Sequence, residues 1–182
     1  MRALVLSDIH GSALAARTAL ANFEKLKCEM LFLLGDLLYH GPRNPLPGGH
    51  DPAGVAEILN EYKEVVVAVR GNCDAEVDQV MFDFPCLADS SVVVDAGRRL
   101  FLSHGHIFDP DGFGRHKAFA YLSGHTHVYK AAKNRFGTYL LNPGSPSLPK
   151  GGNPPTFGLY ETGSFSVLEL NSLKELARIA LE

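Results

Sequence analysis

The sequence predicts an α/β (α+β) fold, and three observations carry the prediction. Short apolar runs alternate with helical stretches through the first 70 residues, the pattern of parallel strands joined by helices. Each of these runs ends in a polar loop. Beyond residue 90 the pattern changes to short apolar segments divided by turn residues, which reads as further β-structure.

In order, residues 4–6 form a buried strand stopped by Ser7-Asp8. Ser12 is placed to cap a helix over residues 13–26. A second buried strand covers 30–34 and ends at Gly35-Asp36. A Gly/Pro-rich loop spans 41–52, followed by a helix over 53–62 and a third strand over 65–69, ending at Arg70-Gly71-Asn72. Residues 92–94 and 100–102 read as strands joined by a turn at Ala96-Gly97. Tyr121-Leu122 precedes Gly124-His125. Segments 130–134 and 138–141 suggest a meander. Segments 157–161 and 164–170, split by Thr162-Gly163, suggest a hairpin. Residues 173–181 fit a helix or a strand equally. No repeat or low-complexity tract divides the chain, so one domain over residues 1–182 is expected.

Composition narrows the function. The chain is 46% hydrophobic and 20% charged, with a formal net charge of −3. That balance gives no global basic surface for nucleic acid or anionic membrane. No apolar run reaches membrane-spanning length, and the N-terminal apolar stretch, broken by Asp8, is too short for a signal peptide. Cys28, Cys73 and Cys86 form no disulfide pattern and fit a reducing, cytoplasmic setting.

The polar residues that end the apolar runs carry the chemistry. Asp8 and His10 follow the first strand, Asp36 the second and Asn72 the third. His104 follows residues 100–102, and His125 and His127 follow Tyr121-Leu122. The carboxyl edge of an α/β sheet is where ligands bind. Carboxylate, amide oxygen and imidazole together suit divalent Mn²⁺, Fe²⁺, Ni²⁺ or Zn²⁺, and no cysteine pair points to structural zinc. Two adjacent cations need a shared ligand, which a carboxylate supplies. Taken singly, each residue reads as readily as a cap or turn residue.

Asp8-Ile9-His10, Gly35-Asp36, Gly71-Asn72-Cys73-Asp74, His104-Gly105-His106 and Gly124-His125-Thr126-His127 resemble, in order, the five motifs of the calcineurin-like metallophosphoesterases. Residues 40–44, 70–78, 142–145 and 149–154 extend the likeness to YfcE-type bacterial phosphodiesterases. The resemblance implies a two-sheet β-sandwich flanked by helices and a dinuclear metal centre, with Mn²⁺ the first expectation. It implies that Asp8, His10 and His127 hold one cation, that Asn72, His104 and His125 hold the other, and that Asp36 bridges them. It further implies in-line attack on phosphorus by a bridging water-derived hydroxide. Many members place histidine at the position of Cys73. A neutral thiol is a weak donor, so the expected substrate is a small organic phosphodiester with a good leaving group.

Around that centre, Asp36, Asn72, Cys73 and Asp74 are the expected catalytic group, with Asp74 anchoring its loop through backbone amides. Arg43 is a candidate phosphate ligand. His106 is a candidate substrate or ligand-orienting residue. Lys150 either shapes the pocket or serves a subunit contact, and a homo-oligomer is left open. His40, His50 and His116 are expected at the surface. A phosphomonoesterase, a nuclease and a non-catalytic scaffold such as the fold-related retromer subunit are the alternatives. Every expected ligand position holds a residue that can coordinate, which argues against the last.

Overall fold

The computed structural model describes residues 1–109 and 118–182; His116 lies outside them. The chain runs β1 (Arg2–Leu6), α1 (Ala13–Lys25), β2 (Met30–Leu33), α2 (Pro52–Asn60), a 3-10 turn (Lys63–Val65), β3 (Val66–Ala68) and a four-residue α3 (Asp78–Met81). It continues β4 (Ser91–Asp95), β5 (Arg98–Leu102), β6 (Ala120–Leu122), β7 (Lys130–Lys133), β8 (Tyr139–Asn142), β9 (Thr156–Glu161), β10 (Ser164–Glu169) and β11 (Glu175–Ala180).

Two mixed sheets result. The first has six strands in the order β11-β10-β9-β1-β2-β3, and the second five in the order β4-β5-β6-β8-β7. β1, β2 and β3 are parallel, as the strand–helix alternation predicts, and β9 joins β1 antiparallel with Arg2 opposite Glu161. In the second sheet β6 is parallel to both β5 and β8. The expected hairpins form as β4–β5, β7–β8 and β9–β10.

Burial on both faces explains why β1 reads as an unbroken apolar run. Leu4 and Leu6 pack with Leu31, Leu33 and the helical residues Ala16, Leu20, Phe23, Val55 and Leu59. Ala3 and Val5 turn the other way, against Phe32, Leu100, Leu102, Leu122, Leu141 and Phe165. The second cluster is the seam between the sheets, and it fixes one sheet edge against the other. Each of these fully buried side chains contributes about 1.5–3 kcal/mol of transfer free energy.

The helix starts follow the sequence signals. Ser12 Oγ accepts the Ala15 amide at 3.2 Å, and Asp51 caps α2 ahead of Pro52 by accepting the Gly54 amide at 3.0 Å. α2 stops at Asn60 and β3 is confined to Val66–Ala68, because the 3-10 turn takes up the residues between them. The undecided C-terminal segment is a strand: β11 pairs along β10, with Ala177 and Ile179 against the inter-sheet core. His40 and His50 are not at the surface. They are half-buried, their rings edge to face at 5.5 Å in the loop after β2.

Candidate metal centre

Five parallel strands, β1, β2 and β3 from one sheet and β5 and β6 from the other, deliver their following loops to one place. Asp8, His10 and His104 are wholly buried, Asp36 is 2% exposed and His127 3% exposed, so they form a floor. Asn72 and His125 are exposed and stand at its mouth. Asp8, His10 and His127 offer ligand atoms that lie within 4.8 Å of one another, and so do Asp8, Asp36 and His104.

The backbone is bent to make this possible. Asp8, His10, Asp36, His125 and His127 have φ of 57°, 51°, 55°, 68° and 59°, in the left-handed region. A non-glycine residue there costs about 1–2 kcal/mol, and such outliers gather at functional sites. Hydrogen bonds hold the strained loops. Asp74 accepts the amides of Asp36, Leu37 and Gly71 at 2.8, 2.9 and 2.7 Å. Ser145 and Ser147 donate to the Asp8 carbonyl at 2.8 and 3.1 Å, and Ser147 also to that of Ile9 at 2.8 Å. Gly71 and Gly124 leave room for close approach. A Cβ on Gly71 would collide with the Asp36 carboxylate, and one on Gly124 with Ser7 and, at 2.8 Å, with Asp8 Oδ2.

The donor chemistry fits a cation. His10, His104 and His127 each point Nδ1 at a backbone carbonyl, of Tyr39, Leu34 and Leu148, at 2.7, 2.7 and 2.6 Å. A carbonyl only accepts, so Nδ1 carries the proton and the neutral ring turns the lone pair of Nε2 inward. There Nε2 of His10 faces Nε2 of His127 at 3.2 Å, and Nε2 of His104 faces Asn72 Oδ1 at 3.0 Å. Asp8 Oδ1 is buried without a hydrogen-bond partner, though Nε2 of His127 and of His10 lie 3.4 and 3.7 Å away. Lone pairs converge on lone pairs, and only positive charge between them relieves the repulsion.

The buried carboxylates draw positive charge onto His104. Burial alone would depress His104, but its hydrogen bond to Asp36 and the charges of Asp8 and Asp36 hold it up at about 9. Burial would raise Asp36, yet His104, the Cys73 amide and His10 hold its carboxyl far below the usual range. Burial, and then the charge of His104, lowers His125. Burial and then the charge of Asp36 push the Cys73 thiol up to about 12.

Above the floor opens a cleft of ≈ 900 Å³, lined by Asp36, Asn72, Cys73, His125 and His127 together with Tyr39, Arg43, Asp74 and Lys150. Of the sequence expectations, Arg43 and Lys150 do reach this cleft. His106 does not line it; its ring lies 5.3 Å from that of His104 and 6.2 Å from that of His125. Burial and then those two rings lower its proton affinity. Sequence reasoning missed Tyr39 as a wall of the cleft, and missed Ser145 and Ser147 as clamps on the Asp8 loop. The three orienting carbonyls leave no signal in side-chain type at all.

A two-sheet sandwich with carboxylate and imidazole donors gathered at one edge defines a phosphoesterase class, and the chain belongs to the calcineurin-like phosphoesterase superfamily: that domain matches residues 1–164. Divalent metal is the cofactor that the family and the donor clusters call for. Among individual relatives, the chain is 44% identical over 182 residues to the phosphodiesterase YfcE of Escherichia coli (strain K12), covering 100% of this chain and 98% of that one. The solved structure of YfcE, a phosphoesterase from E. coli, matches with a TM-score of 0.92 at 42% identity, covering 100% of both chains. Wild-type Vps29 of Entamoeba histolytica, complexed with zinc, shares the fold at a TM-score of 0.67 and 22% identity, again over 100% of both chains.

Proposed function

We propose that this chain is a metal-dependent phosphodiesterase acting on small organic phosphodiesters. The carrying observation is the buried set of inward lone pairs from two carboxylates and three tautomer-fixed imidazoles, at the base of an open cleft. The 44% identity to a phosphodiesterase supports the reaction.

Asp8, His10 and His127 would hold one cation, and Asn72, His104 and His125 the other, with Asp36 shared. Bound there, a divalent pair supplies a Lewis acid for the phosphoryl oxygens and lowers the pKa of water. The chain's own contribution is orientation. Backbone carbonyls fix three rings, Asp74 ties the Asp36 and Asn72 loops together, and the left-handed residues aim their side chains before any ligand arrives. Mn²⁺ is our choice of cation, resting on the resemblance to the family and on the carboxylate and amide oxygens among the donors, while the imidazoles equally suit Fe²⁺, Ni²⁺ or Zn²⁺. Cys73, a weak hydrogen-bond donor where many members of the family place histidine, favours a diester monoanion, which asks less of that position than a monoester dianion. Three free cysteines fit a cytoplasmic enzyme. Among the described residues no helix is long and apolar enough to cross a membrane.

The test is hydrolysis of bis(nitrophenyl) phosphate and of nitrophenyl phosphate by chelator-stripped protein, before and after adding Mn²⁺, Fe²⁺, Ni²⁺, Zn²⁺ or Mg²⁺. Metal-restored activity that is higher on the diester is expected. Full activity after stripping, or a preference for the monoester, would overturn the reading.

A further inference from the structure

The cleft is larger and more cationic than the centre itself requires. Its ≈ 900 Å³ lies near the top of the roughly 300–1,000 Å³ that small-molecule sites span, and a bare phosphodiester group fills only a fraction of it. The acidic, basic and imidazole residues on its walls are Asp36, Arg43, Asp74, His125, His127 and Lys150. Both carboxylates are already engaged. Asp36 accepts the Cys73 amide at 2.7 Å and faces His104 at 3.4 Å, and Asp74 accepts three amides. No acid remains for Arg43 or Lys150, and neither forms an ion pair among the described residues.

These two cations reach the cleft from different loops. Arg43 comes from the loop after β2, close to Gly41, where an added Cβ would lie 3.1 Å from Cys73 Sγ. Lys150 comes from the loop after β8, and its amide donates to the His127 carbonyl at 3.1 Å. Both side chains line the same cleft. Against two divalent cations stand Asp8, Asp36, Asp74, a diester monoanion and one hydroxide, so Arg43 and Lys150 leave the cleft with a net positive surplus, and the matching ligand feature is a further negative charge.

We propose that the substrate is a phosphodiester whose non-leaving arm carries a second anionic group, a carboxylate or a phosphate, held by Arg43 and Lys150. This rests on the phosphodiesterase reading and specifies its substrate class.

The experiment compares three nitrophenyl phosphodiesters on the Mn²⁺-loaded full chain at low ionic strength, the second arm being ethyl, carboxyethyl or phosphonoethyl. The anionic arms should raise kcat/KM by about 10–100-fold over ethyl, chiefly through KM, as charge-assisted contacts do. Added salt should shrink that ratio, and Arg43→Gln or Lys150→Gln should each remove most of it. The better of the two anionic arms distinguishes carboxylate from phosphate. Turnover of all three with equal kcat/KM, or a preference for ethyl, would overturn the second-anion proposal and leave the phosphodiesterase reading standing. Absence of turnover on all three would overturn that reading, and this proposal with it.

Discussion

At the scale of single residues, the centre depends on charge placed where the chain cannot relax. Asp36 is 2% exposed, in a left-handed backbone conformation, with its amide fixed by Asp74 and its carboxylate between His104 and the Cys73 amide. Asp36→Asn keeps the shape and removes the charge that the proposed centre shares between its two cations. We expect kcat to fall by about 10²–10³-fold or more, the size of losing one preorganised electrostatic contact, with the circular dichroism spectrum unchanged and less metal retained. Wild-type turnover by Asp36→Asn at saturating metal would refute the shared-ligand role. This position was legible only as one of five motifs in order, since an acid at a strand end taken singly reads as readily as a turn residue. The carbonyls that fix the rings were illegible because every residue has one, and only the fold decides which of them faces an imidazole.

At the scale of elements, loops from the two sheets have to meet within hydrogen-bonding distance. The loop after β6 meets the loop after β1 through the His125 amide, which donates to Asp8 Oδ2 at 3.0 Å. Gly124→Ala would drive a methyl group into Ser7 and toward Asp8, separating the loops. The expected result is a metal affinity about 10–100-fold weaker by calorimetric titration, the usual scale for disturbing a ligand's support. Unaltered affinity would show that the loops yield. Away from the centre, Asp95 at the end of β4 joins the sheets by accepting hydrogen bonds from Tyr160 at 2.9 Å and Thr162 at 2.7 Å, with the Met1 amine 3.6 Å away. Partial burial would raise its pKa, but these partners pull it below the ordinary 3.8. A lowered folded-state value contributes stability that is present above 3.8 and lost as pH falls through the folded value. Asp95→Asn should therefore cost roughly 0.5–1.5 kcal/mol in urea unfolding at neutral pH, and the gap to wild type should narrow below pH 3.8. A gap that stays constant with pH would assign the cost to packing. The strands β1 and β2 were legible because they are buried on both faces, and β3 because its short apolar run follows the same strand–helix alternation. β11 was not, because Glu, Leu, Ala and Arg favour a helix, and only the open edge of β10 makes the segment extended.

At the scale of the whole molecule, metal binding and folding are one equilibrium. The inward lone pairs exist only when both sheets are in place, so a cation binds the folded chain and leaves the unfolded one. At about a hundred times the dissociation constant, one filled site adds about 2.7 kcal/mol, or roughly 5–10 °C in Tm for a chain this size. Scanning calorimetry of stripped and Mn²⁺-loaded protein should show that rise and its reversal by chelator; identical Tm values would separate the centre from the fold. The pairing of β1 with β9 adds a dimension of time. Arg2 lies opposite Glu161, so the strand that carries Asp8 and His10 is not closed on both sides until almost the whole chain exists. At about 5–20 residues per second a ribosome needs roughly 8–30 s to travel from His10 to Glu161. Through that interval the nascent chain displays scattered imidazoles and carboxylates but no gathered donor set. On the proposed reading, cations are then captured after synthesis, when the finished sandwich competes for them against every other binder in the cell.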